Sequence, residues 1–222
     1  MTEPAQRPAP LVAVPSRDGQ DGSSRRFSRR GRERKIEILD AALRIVGRDG
    51  LAALTMRSLA VEADIPLGAI TYYFASKSVL IAEAFRVHAA LETERVLLAI
   101  RQLPAEPSVR QLSEQLTSFL LGGLTEHRRQ LISEYELLIG ATREPELANL
   151  SRFWQQAMQR ELSDIARKLG SSQPAIDAQL LLELMAGLEV DNLSTEPDTA
   201  DKARIQAVIL RAVSALFPPA VN

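Results

Sequence analysis

Apolar positions along this chain recur at the three- and four-residue spacing of helices. Ile36, Leu39, Leu43 and Val46 form a first stripe that stops near Gly50, a natural helix C-terminal residue. Thr55 then offers an N-cap hydroxyl to a second helix whose inner face is Met56, Leu59, Ala60 and Ala63. Asp64-Ile65 makes a turn. Pro66 sits at or just before a third helix, where a missing N–H costs nothing, and Ile70 and Phe74 give that helix its inner edge. Ser76 caps a fourth helix running from Lys77 to about Arg101, and Pro104 and Pro107 punctuate its end.

Beyond that point the pattern remains helical. Leu112, Leu116, Phe119, Leu120 and Gly123 form one stripe, Ile132, Tyr135 and Ile139 another, and Leu150, Trp154, Ala157 and Ile165 a third. The segment from Ile176 to Asn192 is apolar over more than one face and so needs two partners, one in its own core and one elsewhere. A last helix spans Ala203 to Leu216. With no β-alternation and no internal repeat, the expected fold is all-α: an N-terminal three-helix helix-turn-helix domain followed by a larger helical dimerisation and ligand-binding domain. The expected boundaries are a disordered basic arm over 1–30, the helix-turn-helix domain over 31–78 and the helical body over 79–218.

Composition adjusts this picture in two places. The chain has 222 residues, 45% of them hydrophobic, and a net charge of -1, but residues 1–90 are net basic and the remainder net acidic, as expected of an anion-binding module joined to another of different purpose. Met1 to Ser24 is rich in Pro, Gly, Ser and Gln and reads as disordered. It runs into Arg25–Lys35, in which Arg25, Arg26, Arg29, Arg30, Arg32, Arg34 and Lys35 are cationic; this is either a solvated leader or a nucleic-acid arm. There is no cysteine and there are two histidines, His88 and His127, far apart in sequence, so no metal or cofactor site is expected. No apolar run approaches the roughly 18 residues that span a bilayer, and Leu11–Val14 is too short for a secretory signal. The expectation is a cytoplasmic protein with no membrane partner. Enzymatic signatures are also missing: there is no Gly-rich phosphate loop and no Gly-x-Ser-x-Gly. Glu134 and Glu136, two apart on a helix, do not face one another, which leaves a two-carboxylate site unsupported.

The segment Thr55–Lys77 meets the demands of a helix-turn-helix: one helix to lean on the DNA backbone, a tight turn, and a second helix whose first residues reach the major groove. From about Lys35 to Phe85 the chain resembles the DNA-binding domain of TetR-family transcriptional regulators. The matching residues are Gly50, Thr55, Arg57, Leu59-Ala60, Ala63-Asp64-Ile65, Tyr72-Tyr73-Phe74 and Ser76-Lys77-Ser78-Val79-Leu80. The resemblance implies Thr55 on a phosphate, Arg57 on a phosphate or a base edge, Leu67, Gly68, Ala69, Thr71 and Tyr72 in the groove, and Tyr73 and Lys77 on phosphates. Asp64 stands where the family usually has glycine, and Thr71 where tyrosine is commonest.

Between Pro66 and Phe74 there is no Arg, Lys, Asn or Gln, so bidentate base contacts are not on offer from the reading helix. Selectivity is expected from methyl and hydroxyl contacts of Leu67, Ala69 and Thr71, from Arg57, and from minor-groove insertion of the arm carrying Arg29, Arg30 and Arg32. A palindromic double-stranded operator calls for a homodimer, expected through Leu181, Leu184, Met185, Leu188, Ile205, Val208, Ile209 and Ala212. A small-molecule effector, of unread chemistry, is expected among Phe119, Glu134, Tyr135, Phe153, Trp154 and Met158, with Arg143, Asn149, Gln155, Glu183 and Glu189 as further polar candidates. By the resemblance, occupancy shifts the spacing of the reading heads through the Lys77–Arg101 helix, making the protein a repressor released by its effector. The alternative is a helical interaction module whose basic arm binds acidic partners or nucleic acid without sequence choice; a ratio of specific to competitor-DNA affinity separates the two.

Overall fold

Within the described residues the cationic run is interleaved with acids one turn away. In a computed structural model, which describes residues 29–218, α1 spans Arg29–Asp49. Arg29 pairs with Glu33 at 3.0 Å and Arg34 with Glu37 at 2.7 Å along its exposed side, an arrangement that supports helix rather than an extended arm. Arg29 and Arg30, expected in the disordered arm over 1–30, therefore stand on a helix together with Arg32, which was expected to insert with them into the minor groove; the rest of that arm lies outside the described residues. Ile36 is also not an inner residue, being 60% exposed. The buried face is Ile38, Leu39, Ala41, Ala42, Ile45 and Val46, with Gly47 where a neighbouring helix comes close. A small residue carries that approach, and a search for large apolar side chains passes over it.

The next elements follow the local signals. Thr55 caps α2 (Met56–Glu62): its hydroxyl accepts from the Ser58 amide at 3.0 Å, while the Ser58 hydroxyl accepts from the Thr55 amide at 2.9 Å, a reciprocal capping box. Asp64 makes the turn with φ of 50°, the single positive φ outside glycine among the described residues. Pro66, with φ of −59°, leads into α3 (Leu67–Tyr73). Ser76 accepts from the Val79 amide at 3.2 Å and opens α4 (Lys77–Arg101).

The body consists of α5 (Val109–Leu124), α6 (Arg128–Ala141), α7 (Pro145–Lys168), α8 (Pro174–Asp191) and α9 (Thr199–Leu216), giving an all-α molecule with no strand among the described residues. Two hydrophobic cores form. The first joins α1, α2, α3 and the front half of α4, runs on past residue 78 through Leu80, Ile81 and Phe85, and takes in Leu137 and Ala141 of α6 and Leu147 of α7. The second lies among α5, α7, α8 and α9. α7 packs along α8, α5 along α9, and α1 against α6.

Two expectations about faces change. On α6 the buried positions are Leu131, Ser133, Glu134, Leu137 and Ala141, whereas Ile139 is exposed; the helix buries polar side chains that serve contacts described below. On α8 and α9, Leu181, Met185, Leu188, Ile205 and Ile209 are enclosed in the monomer's own second core, out of reach of a partner. Of the eight residues expected at a dimer interface, Leu184, Val208 and Ala212 retain surface. The uncovered apolar positions beside them are Ile176, Leu180 and Val190. Hydropathy finds a helix with two apolar faces but does not say which face the monomer uses.

Candidate functional site

The α2–turn–α3 unit presents its reading helix outward because Ile70 and Phe74 are fully buried beneath it. On the opposite side Leu67, Gly68, Thr71 and Tyr72 are exposed, and Ala69 and Tyr73 half-buried. A Cβ at Gly68 would meet nothing within 4 Å, so the helix start offers an open backbone surface. The Thr71 hydroxyl donates to the Gly68 carbonyl at 3.0 Å, which leaves its methyl and its acceptor lone pairs for a groove. Thr55 is exposed but its hydroxyl is engaged in the cap.

Cations on the head divide into two sets. Arg44 and Arg48 reach across from α1 to Glu62 on α2 at 3.2 and 3.0 Å, and the hydrogen bonds from Arg48 and then Arg44 hold the Glu62 carboxyl below its ordinary range. Lys35 bridges to Glu83 on α4 at 2.5 Å and lies 5.5 Å from the centre of the Phe74 ring. These fix the helices to one another. Arg57 and Lys77, by contrast, are exposed and make no ion pair among the described residues.

Inside the body, α4, α5, α6, α7 and α8 enclose a cavity of about 570 Å³, within the range of small-molecule pockets. Phe119, Glu134, Tyr135, Trp154 and Met158 line it, as do Gln155, Glu183 and Glu189. Phe153 does not: it is 48% exposed, one position round the helix from Trp154. Arg143 and Asn149 are also outside it, on the surface.

Carboxylates converge on this cavity from three helices. Glu92 of α4 pairs with Arg95 at 2.9 Å, and the Arg95 guanidinium stacks over Phe119 at 3.7 Å. Glu134 of α6 lies 3.3 Å from the buried His88 Nε2, and Glu189 of α8 accepts from the Tyr135 hydroxyl at 2.9 Å. Burial is the main force on them: it raises the Glu134 carboxyl above its ordinary value, against the opposing His88 bond. Burial, followed by the charge of Glu134, pushes Glu189 up to about 8, and burial, followed by the charge of Glu189, raises the Tyr135 hydroxyl. Sequence spacing did not reveal this cluster, because no two of its carboxylates share a helix.

Helix α6 connects the cavity to the head. Glu134 and Tyr135 face the cavity, while the residues flanking them bond to the DNA-binding end: Ser133 Oγ donates to the Leu43 carbonyl at 3.1 Å and Glu136 accepts from the Leu51 amide at 2.8 Å. Beside these bonds α1 and α6 touch backbone to backbone, since a Cβ on Gly47 would lie 2.5 Å from the Arg129 carbonyl oxygen.

Among the described residues no helix is long and apolar enough to cross a membrane, and no group of acids and histidines is arranged to hold a metal ion. Comparison with known proteins gives two family matches: residues 38–84 to "Bacterial regulatory proteins, tetR family" and residues 107–219 to "Tetracyclin repressor-like, C-terminal domain". The nicotine-responsive transcriptional repressor HdnoR of Paenarthrobacter nicotinovorans is 26% identical over 133 residues, covering 60% of this chain and 67% of that protein. The multidrug binding protein EbrR, solved with imidazole, is 30% identical with a TM-score of 0.64, covering 86% of this chain and 93% of that one. A transcriptional regulator from Rhodococcus has the same fold at 18% identity, with a TM-score of 0.69 and coverage of 82% and 95%.

Proposed function

The chain belongs to the TetR family of DNA-binding transcriptional regulators, and from that premise we propose that it is a homodimeric repressor released from a palindromic operator by a small molecule held in the α4–α8 cavity. The observation that carries this reading is the double attachment of α6, with Glu134 and Tyr135 at the cavity and Ser133 and Glu136 on the head. A ligand that displaces α6 must strain or break the bonds to Leu43 and Leu51, so it shifts the population of head orientations in each protomer. α4 carries the same motion as the rigid stem of the reading unit, and α6 adds a second lever. HdnoR, a nicotine-responsive repressor, and EbrR, a multidrug binding protein, agree with an effector-controlled role.

At the operator, α3 enters the major groove with Leu67, Gly68, Ala69, Thr71 and Tyr72, and Arg57, Tyr73 and Lys77 take phosphates. Thr55 contributes by shaping the N-terminus of α2, whose amides face the backbone. Arg29, Arg30 and Arg32 act from the first turns of a helix, beside the phosphates, rather than as an extended minor-groove strand. The head extends from α1 into α4 and the body takes the remaining helices, both within the cytoplasm. Selecting bound fragments from genomic DNA tests the reading. It predicts a shared two-fold symmetric site with half-sites about one helical turn, or a whole number of turns, apart; bound fragments with no common motif overturn it.

A further inference from the structure

Glu134 and Glu189 are each more than nine-tenths buried and both line the cavity. Each uses one carboxylate oxygen on a neighbour, His88 Nε2 and the Tyr135 hydroxyl respectively, and each has a second oxygen, Oε1, that no described residue bonds. The third carboxylate, Glu92, is already matched by Arg95. We propose that the cavity selects a lipophilic organic cation, whose positive centre sits between Glu134 and Glu189 and whose apolar body packs on Phe119, Trp154 and Met158. This rests on the reading of the cavity as the effector site and adds the ligand's chemical class.

The argument is one of compensation. A buried carboxyl without a counter-charge is held protonated, because ionising it in an apolar enclosure is costly. The titratable groups around the pair are His88, Glu92 and Arg95 from α4, Tyr135 from α6, Arg152 from α7 and Glu183 from α8, while the α5 lining brings none; of these, Arg95 and Arg152 are the permanent cations. Arg152 is exposed and hydrogen-bonded to Asn149, and Arg95 is committed to Glu92, so neither neutralises the pair. A neutral ligand leaves Glu134 and Glu189 as they are, an anion opposes their ionisation further, and a cation makes the ionised forms favourable. Binding must then be coupled to proton loss. With Glu189 pushed up to about 8 by burial and then by the charge of Glu134, a cation arriving below that pH expels a proton. Its affinity therefore falls as pH falls, by up to about tenfold per unit.

The test uses the full-length protein and two ions of matched shape and opposite charge, tetraphenylphosphonium and tetraphenylborate, followed by the fluorescence of the chain's single tryptophan, Trp154, which lines the cavity. Expected are a preference for the cation of at least about 100-fold at pH 8.5, weaker cation binding at pH 6.5, and a loss of about 30-fold or more in Glu189→Gln together with a flattened pH dependence. The glutamine variant keeps the side chain's shape. Its own folding is checked by stability, which should vary less between pH 4.5 and 8 than that of the parent, because the parent loses stability as pH rises through that window. Equal or tighter binding of tetraphenylborate, no binding of either ion, or cation binding indifferent to pH and to Glu189→Gln each overturns the proposal. Cation binding with that signature but without release of DNA supports the cation site and contradicts the effector reading instead.

Discussion

Asp64 occupies the left-handed backbone region, with φ of 50°, at the turn between the two helices that grip DNA. Asp bears this conformation better than most residues, because its short polar side chain bonds locally, while a β-branched residue does not. Asp64→Val is expected to lower the stability of the protein by roughly 1–2 kcal/mol and Asp64→Gly to change it little, measured by denaturant unfolding. Arg57 tests the electrostatic part of the head. Exposed and without an ion pair among the described residues, it is expected on a phosphate, so Arg57→Ala should weaken binding to all sequences alike and reduce the slope of log affinity against log salt by about 1. Relaxed preference at one base pair with an unchanged slope would place it on a base edge instead. Residues of this kind were legible in the chain because their signals are local: Thr55, Pro66 and Ser76 each act within one turn of their own position. Glu134 and Glu189 were legible as single candidates, but Glu92 and the convergence of the three were not, because that lies in a meeting of three helices.

Among the helices, α6 shows where periodicity misleads. Its expected stripe of Ile132, Tyr135 and Ile139 missed the buried face because Ser133 and Glu134 hold that face with hydrogen bonds. The same bonds make the helix a lever. Glu136→Ala removes the acceptor of the Leu51 amide and leaves the cavity lining intact. Expected is a normal affinity for a cavity ligand, with the ligand's effect on operator affinity reduced by about 0.5–2 kcal/mol. Operator titrations with and without tetraphenylphosphonium measure this, and an unchanged ratio would remove α6 from the pathway. Gly47 explains the close approach of α1. Any side chain there meets the Arg129 carbonyl, and Gly47→Ala should cost about 1–3 kcal/mol of stability through overpacking.

At the scale of the whole molecule, the body offers an uncovered apolar face on α8, where Ile176 and Leu180 are exposed beside Leu184, with Val208 on α9. This is the surface expected to bury itself against a second protomer, and Leu180→Arg should yield folded monomers by sedimentation. Ile209→Arg, which places a charge in the second core, should instead prevent folding. The expected all-α fold, with its reading head and larger helical body, was visible in the sequence because each helix carries its own start and stop signals. The pairing of faces between helices was not, and that pairing decides which leucines meet a partner. The role proposed for the head is to choose DNA by sequence despite a reading helix that exposes no bidentate side chain. It is tested most directly by the affinity of the full-length dimer for a selected operator relative to competitor DNA at one fixed salt concentration. A ratio of roughly 10³ or more is predicted, and a ratio of about one would contradict it.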